Sequence, residues 1–380
     1  MFLICIKKWL FVVGSVIVAI SIFTACGYRP HVPTRPTPAI LPELPPISMM
    51  ATNIHTIAVG VDGTLWSEGG NESGQLGCGT TLARDFFDQV GADTDWASIA
   101  TGRSHTVAIK TDGSLWAWGG NWNGQLGNST RSSRSYHHVH VPTQVGADTD
   151  WAMVAAGSGH TVAVKTDGSL WAWGGNTSGQ LGNGKGGDVD TGSYVPVQIG
   201  TDTDWAYVFA HGWYTMAIKI DGSLWAWGSN TGGLGIGTTE MKLTPTRVGG
   251  ETSWVSVAMG SSHTVAIQED GSLWAWGENF NGQLGDGTTR FRDYPVQIGT
   301  DTDWVSVAIG NFYTIATKED GSLWISGRIT GIGIGPAGRD ATIPTQIYTD
   351  RQWASVAAGR NRAFAITPDG NFQRLGTVGH

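Results

Sequence analysis

An Asp-Gly pair followed by one residue and then an apolar one recurs seven times, at Asp62, Asp112, Asp167, Asp221, Asp270, Asp320 and Asp369. The intervals are 50, 55, 54, 49, 50 and 49 residues. In six copies a tryptophan recurs upstream, at Trp96, Trp151, Trp205, Trp254, Trp304 and Trp353. Such self-similarity restricts the chain to a stack or ring of like units, because one unit of this size cannot bury its own apolar face. The units fall near residues 47–95, 96–150, 151–204, 205–253, 254–303, 304–352 and 353–380.

The local pattern is β throughout. In the second copy His105 to Lys110 and Leu115 to Gly119 are strand-like, and Asp112-Gly113 between them favours a tight hairpin. A two-residue turn sets Lys110 opposite Leu115, Ile109 opposite Trp116, Ala108 opposite Ala117 and Val107 opposite Trp118. On that register Val107, Ile109, Trp116 and Trp118 share a bulky face, and Thr106, Ala108 and Ala117 a small one. Tryptophan of one unit is then expected to pack on alanine of the next. Three strands per copy are clear, and the P-x-x-V-G arm supplies a fourth. In the first copy, which has no matching tryptophan, Ile47 to Ala51 supplies the first strand. Radial repetition of such sheets closes into a propeller, whereas an open stack would need end caps. The fold class is all-β, a seven-bladed β-propeller.

The segments IATGRSHTVAI (Ile99 to Ile109) and VAAGSGHTVAV (Val154 to Val164), with W-G-x-N-x-x-G-Q-L-G at Trp118 to Gly127, resemble the repeat of the regulator of chromosome condensation (RCC1-like) family. The resemblance runs from about residue 46 to the end and implies a seven-bladed propeller. It says little about function, since one fold hosts many. Family propellers complete one blade with strands from both termini. Here Val32-Pro33-Thr34 echoes Val141-Pro142-Thr143, so part of His31 to Glu43 is expected to close the last blade.

Residues 1–25 read as an export signal: Lys7 and Lys8, an uncharged apolar run to Phe23, then small residues before Cys26. The box resembles a bacterial lipoprotein signal, which implies lipidation of Cys26. An uncleaved anchor helix is the alternative, and the run is short for one. Residues 26–46 are proline-rich and read as a tether. Of the three cysteines only Cys78 then remains, so no disulfide framework is expected.

Most candidate chemistry has a structural reading beside it. The seven aspartates sit where the turn wants Asp before Gly. The repeated His55, His105, His160 and His263, replaced by Tyr214, Tyr313 and Arg362, are expected to hydrogen-bond within their own blades. The Asp-Thr-Asp pairs before four tryptophans make either an acidic rim or turns to backbone, and turns are the favoured reading. His137, His138 and His140 are weak metal candidates without a nearby Cys or acid. No cofactor is expected. No Ser-His-Asp arrangement, paired Glu or metal motif rises above chance.

Function should then lie in what does not repeat. Trp122, Tyr136, Trp213, Tyr214, Phe312 and Tyr313 are the partner-binding candidates. The net charge of −8 and 14% charged residues give no basic patch for nucleic acid. The leading expectation is a monomeric, non-enzymatic scaffold, lipid-anchored outside the cytoplasm, that presents rim loops to a protein or carbohydrate. The alternatives are nucleotide exchange on a GTPase, which the resemblance implies and the export signal opposes, and a propeller hydrolase or lyase.

Overall fold

The computed structural model describes residues 46–51, 54–60, 62–131, 138–188, 191–231, 233–251, 253–328, 340–359, 362–368 and 372–375. The signal, Cys26, the tether and the closing segment at 31–43 lie outside the described residues. So do Tyr136 and His137.

Twenty-seven strands and no helix make up the described chain. They form six four-stranded antiparallel sheets and, at residues 355–375, a three-stranded one. Each sheet is a blade of consecutive strands: the second comprises Trp96–Thr101, His105–Lys110, Leu115–Gly119 and Val139–Gln144. The expected fourth strand is present in blades one to six. Five of these outer strands carry a proline, at Pro142, Pro196, Pro245, Pro295 and Pro344. Proline is tolerated on an edge and discourages pairing with another chain there.

The hairpin register differs from expectation by one residue. Ile109 faces Leu115, Ala108 faces Trp116, Val107 faces Ala117 and Thr106 faces Trp118. The loop has three residues, not two. The Gly113 amide donates to the Lys110 carbonyl (2.9 Å), the Lys110 amide donates to the Ser114 carbonyl (3.0 Å), and Gly113 alone takes positive φ, at 79°. This is a type I turn closed by a left-handed glycine. A one-residue slip exchanges the faces. Val107 and Ile109 therefore lie with Leu115 and Ala117, and the tryptophans lie with Thr106 and Ala108.

The seams follow from those faces. Ile57, Val59 and Leu65 of blade one pack on Ala108 and Trp118 of blade two. Val107, Ile109 and Leu115 of blade two pack in turn on Ala163 and Trp173 of blade three. Tryptophan thus meets branched aliphatic side chains of the preceding blade, correcting the expected tryptophan-on-alanine packing. The six described seams each set an aliphatic face on one that carries tryptophan, a volume-filling pair.

Candidate functional site

Antiparallel order places two connections of each blade at one end of the ring and two at the other. The Asp-Gly turns and the linkers between blades share one face. The loops between first and second strands, and between third and outer strands, share the opposite face, called here the loop face.

On the first face the Asp-Gly aspartates are structural. Asp112 Oδ1 accepts hydrogen bonds from the Ser114 amide (2.9 Å) and hydroxyl (2.6 Å), and Ser114 Oγ accepts from Trp116 Nε1 (2.9 Å). Those bonds from Ser114 hold the Asp112 carboxyl below its ordinary range. Blades three and four repeat the clip through Asp167 and Asp221.

The Asp-Thr-Asp pairs do something the sequence reading missed. Lys110 Nζ lies 2.7 Å from Asp93 and 3.0 Å from Asp95, over the rings of Trp96 and Trp116 at 4.8 and 4.6 Å. Lys165, Lys219 and Lys318 repeat this box with their own aspartates and tryptophans. Burial works against the Lys110 charge, but the two carboxylates outweigh it and raise its pKa. Blade five has Glu251 and Ser253 where the others have aspartates, and Gln268 where they have lysine. The full Asp-x-Asp pair and its lysine therefore occur in the same copies, which was the available signal for the pairing.

The histidines reach across seams rather than into their own blades, a second correction. His105 Nε2 lies 3.2 Å from Thr161 Oγ1 of blade three, and that hydroxyl donates to the Gln125 carbonyl of blade two at 2.8 Å. Since the threonine hydrogen is spent on the carbonyl, His105 Nε2 must be the donor to Thr161. Trp173 Nε1 donates to the same carbonyl at 2.9 Å. His55, His160 and His263 pair likewise with Thr106, Thr215 and Thr314. Burial lowers these four imidazoles to about 3, keeping them neutral. The Gly127 hydrogen lies under the Trp173 ring: a Cβ there would come 2.7 Å from Nε1. The G-Q-L-G turn is thus a socket for the next blade's tryptophan.

Two of the aromatic candidates leave the surface. Tyr214 and Tyr313 are 4% and 1% exposed, and the Tyr214 hydroxyl donates to the Gly260 carbonyl of the next blade at 2.7 Å. Both stand where other blades have the seam histidine. Phe312 is half-buried. Trp122 and Trp213 are each 42% exposed on the loop face. His138 meets Trp122 edge-on, 4.4 Å between ring centres, and His140 packs against Gly74. Among the described residues no group of three His, Cys, Asp or Glu is placed to hold a metal ion.

Sequence reasoning passed over Phe280, 72% exposed at the position of blade five that Trp122 holds in blade two. It also passed over Tyr194, whose hydroxyl accepts from Arg131 at 2.6 Å. The signal for Phe280 was the aromatic at a repeat position where other copies carry Glu72 or Thr177. A cleft of about 520 Å³ also opens between the outer strands of blades one and two, lined by Cys78, Arg84, Asp88, Val141 and Pro142.

Residues 23–365 match the model of the RCC1-like domain. The ultraviolet-B receptor UVR8 of Arabidopsis thaliana is 38% identical over 88 residues, 23% of this chain and 19% of the receptor. The chain thus matches about a fifth of that relative's length. Prp20p of Saccharomyces cerevisiae, whose structure is described with its binding to Gsp1p and histones, superposes with a TM-score of 0.71 at 20% identity, covering 85% of this chain and 83% of Prp20p. Human WBSCR16 superposes with a TM-score of 0.69 at 20% identity, covering 82% of this chain and 88% of that one. These likenesses carry the fold, and the match over most of the chain carries the family: the protein belongs to the RCC1-like domain family and is a β-propeller of its kind.

Proposed function

We propose that the protein is a non-enzymatic binding scaffold that presents its loop face to a partner outside the cytoplasm, held at a membrane through lipid on Cys26. One observation carries the reading. The repeated polar and aromatic residues are engaged in clips, boxes and seams, whereas the non-repeating Trp122 and Trp213 and the neighbouring-copy Phe280 stand exposed on one face. Large aromatics on short loops braced by sheets and left in water are typical anchors for a partner. Export and anchoring rest on the sequence of residues 1–26.

The test is crosslinked capture from intact cells with the full chain and with the Trp213→Ala/Phe312→Ala double variant. The double variant is expected to lose the captured partner while keeping its melting temperature. Undiminished capture overturns the loop-face reading. Cys26→Ser is expected to move the protein from the membrane to the soluble fraction, and unchanged fractionation overturns the anchor.

A further inference from the structure

Where the turn Asn-x-x-Gly-Gln-Leu-Gly recurs, the residue after it is Asn128, Asn183 or Asp286, and in blade one it is Cys78. Blade five shows what the position holds. Asp286 Oδ1 accepts from Asn279 Nδ2 at 2.9 Å, from the Thr288 amide at 2.9 Å and from the Thr288 hydroxyl at 2.8 Å. Asp286 Oδ2 accepts from Arg292 Nε at 2.7 Å. Blade one repeats those donors at the same sequence spacings, as Asn71, Thr80 and Arg84. Arg84 and Arg292 also share a register, opposite Gly69 and Gly277 at the ends of their third strands.

Sulfur uses this donor set incompletely. Asn71 Nδ2 lies 3.5 Å from Cys78 Sγ, and Thr80 Oγ1 lies 3.4 Å from it. Burial opposes the thiolate, but Thr80 and the Arg84 guanidinium outweigh it and bring the thiol below its ordinary range. The Arg84 Nε hydrogen is left over. That nitrogen is buried and makes no hydrogen bond. The Asp88 carboxylate, 3.4 Å away, forms an ion pair with it but is not aligned to accept. In blade five the second carboxylate oxygen takes this hydrogen. A buried charged donor without an acceptor is costly. Blade one thus has the donors for a two-oxygen anion and a side chain with no oxygen. The sulfur is also reachable. Cys78 is partly exposed and, with Arg84, lines the cleft of about 520 Å³ between the outer strands of blades one and two.

We infer that Cys78 is a site of oxidation by hydrogen peroxide, whose product is a sulfinate held by Asn71, Thr80 and Arg84 as Asp286 is held in blade five. A sulfinate bears two oxygens on the atom bonded to Cβ, as an aspartate carboxylate does. In the first step the thiolate attacks one peroxide oxygen. The S–O bond forms as the O–O bond breaks, and the leaving hydroxide takes the sulfenic proton to become water. A second peroxide converts the sulfenate to the sulfinate in the same way. Each step takes two electrons from sulfur and reduces one peroxide to water. Cys78 is the only cysteine among the described residues, so no neighbouring thiol there diverts the sulfenate into a disulfide. The sulfinate would tie the turn to the outer strand beside a seam, since Gly77 lies against the Trp118 indole. The inference holds whether or not the loop face meets a partner.

The experiment exposes the full chain to hydrogen peroxide at neutral pH, maps its peptides by mass spectrometry and reads melting temperature in parallel. The Cys78 peptide is expected to gain two oxygen atoms. Arg84→Gln should slow that gain about threefold or more, while Arg84→Lys, which keeps the charge, should slow it less. Relative to Cys78→Ser treated alike, oxidation should raise the melting temperature by about 2 °C. Cys78→Asp should show the same rise without peroxide, and Arg84→Gln should abolish both rises. A Cys78 that stays reduced, or that ends as a disulfide between two chains, overturns the inference. So does oxidation indifferent to Arg84. A fall in melting temperature on oxidation or with Cys78→Asp overturns the match with Asp286 and the inference with it.

Discussion

Two seams of the same ring use the same strands and differ in what crosses them. Between blades two and three, Trp173 and Thr161 both donate to the Gln125 carbonyl, and His105 reaches over to Thr161. Between blades six and seven the matching residues are Leu375 for tryptophan, Ala363 for threonine and Tyr313 for histidine. The cluster there is almost wholly hydrocarbon. Residues 328–338, which stand where blade two has its G-Q-L-G turn, read RITGIGIGPAG and contain no glutamine. The glutamine itself is dispensable, since in blade four Gly233 stands in its place and its carbonyl still accepts from Thr264 and Trp276. Burying an indole N–H or a hydroxyl without a partner is costly, so the seam tryptophan and threonine stand where a backbone carbonyl of the preceding blade receives them, and each position can vary separately: Tyr214 replaces histidine while Thr264 and Trp276 remain. Ser326 of blade six is an intermediate: its hydroxyl lies 3.3 Å from the Gln283 carbonyl in place of a tryptophan.

Acid should separate the two kinds of seam most strongly. The four seam histidines have folded pKa values near 3, against about 6.5 in the unfolded chain. A depressed histidine pKa means the unfolded state takes the proton first. Stability is therefore full above pH 6.5 and falls as pH drops from there toward 3. Each histidine adds up to about 1.4 kcal/mol per pH unit to that slope. Melting curves from pH 7 to 4 should show a steep loss, visibly shallower in His105→Gln. A flat profile would mean that the imidazoles are not buried as described.

The next effect is smaller. Trp173→Ala removes a fully buried indole and should cost about 3–5 kcal/mol in denaturant unfolding. Ser326→Ala, at the matching position of blade six, should cost about 1 kcal/mol. Similar losses at the two sites would dissolve the distinction between seams. Gly127→Ala should resemble a mild Trp173 variant, since its Cβ would press on that ring and its φ is +72°. Smallest is Lys165→Met, which keeps the aliphatic stem between Trp151 and Trp171 but loses partly exposed ion pairs. A loss of about 1 kcal/mol, diminished by salt, is expected from thermal melts.

Much of this was legible in the sequence, and the failures are instructive. Asp-Gly marked the hairpins of the first six blades correctly yet left their length open, because the pair suits both a two-residue turn and a three-residue loop with a left-handed glycine. That one-residue difference moved Trp116 and Trp118 to the opposite face. Contacts within a blade follow from spacing, whereas contacts across a seam do not. His105 with Thr161 and Gln125 with Trp173 are 56 and 48 residues apart. Tyr214 and Tyr313 looked like surface aromatics because they break the histidine pattern. They proved to be substitutes within the seam. Trp122 and Trp213 break patterns that no seam uses, and they remain exposed.

The Gln125 carbonyl, held from two directions by the next blade, fixes the peptide just before the most variable loop of that copy. A loop that springs from so firm a mount can change in length and sequence without drawing on the stability of the ring. Residues 128–140 and 183–194 are lengthened in this way. A rigid mount also lowers the ordering entropy lost when the loop meets a ligand. The ring thus keeps the residues that hold its seams apart from the loops that meet a partner, so a change in one need not weaken the other.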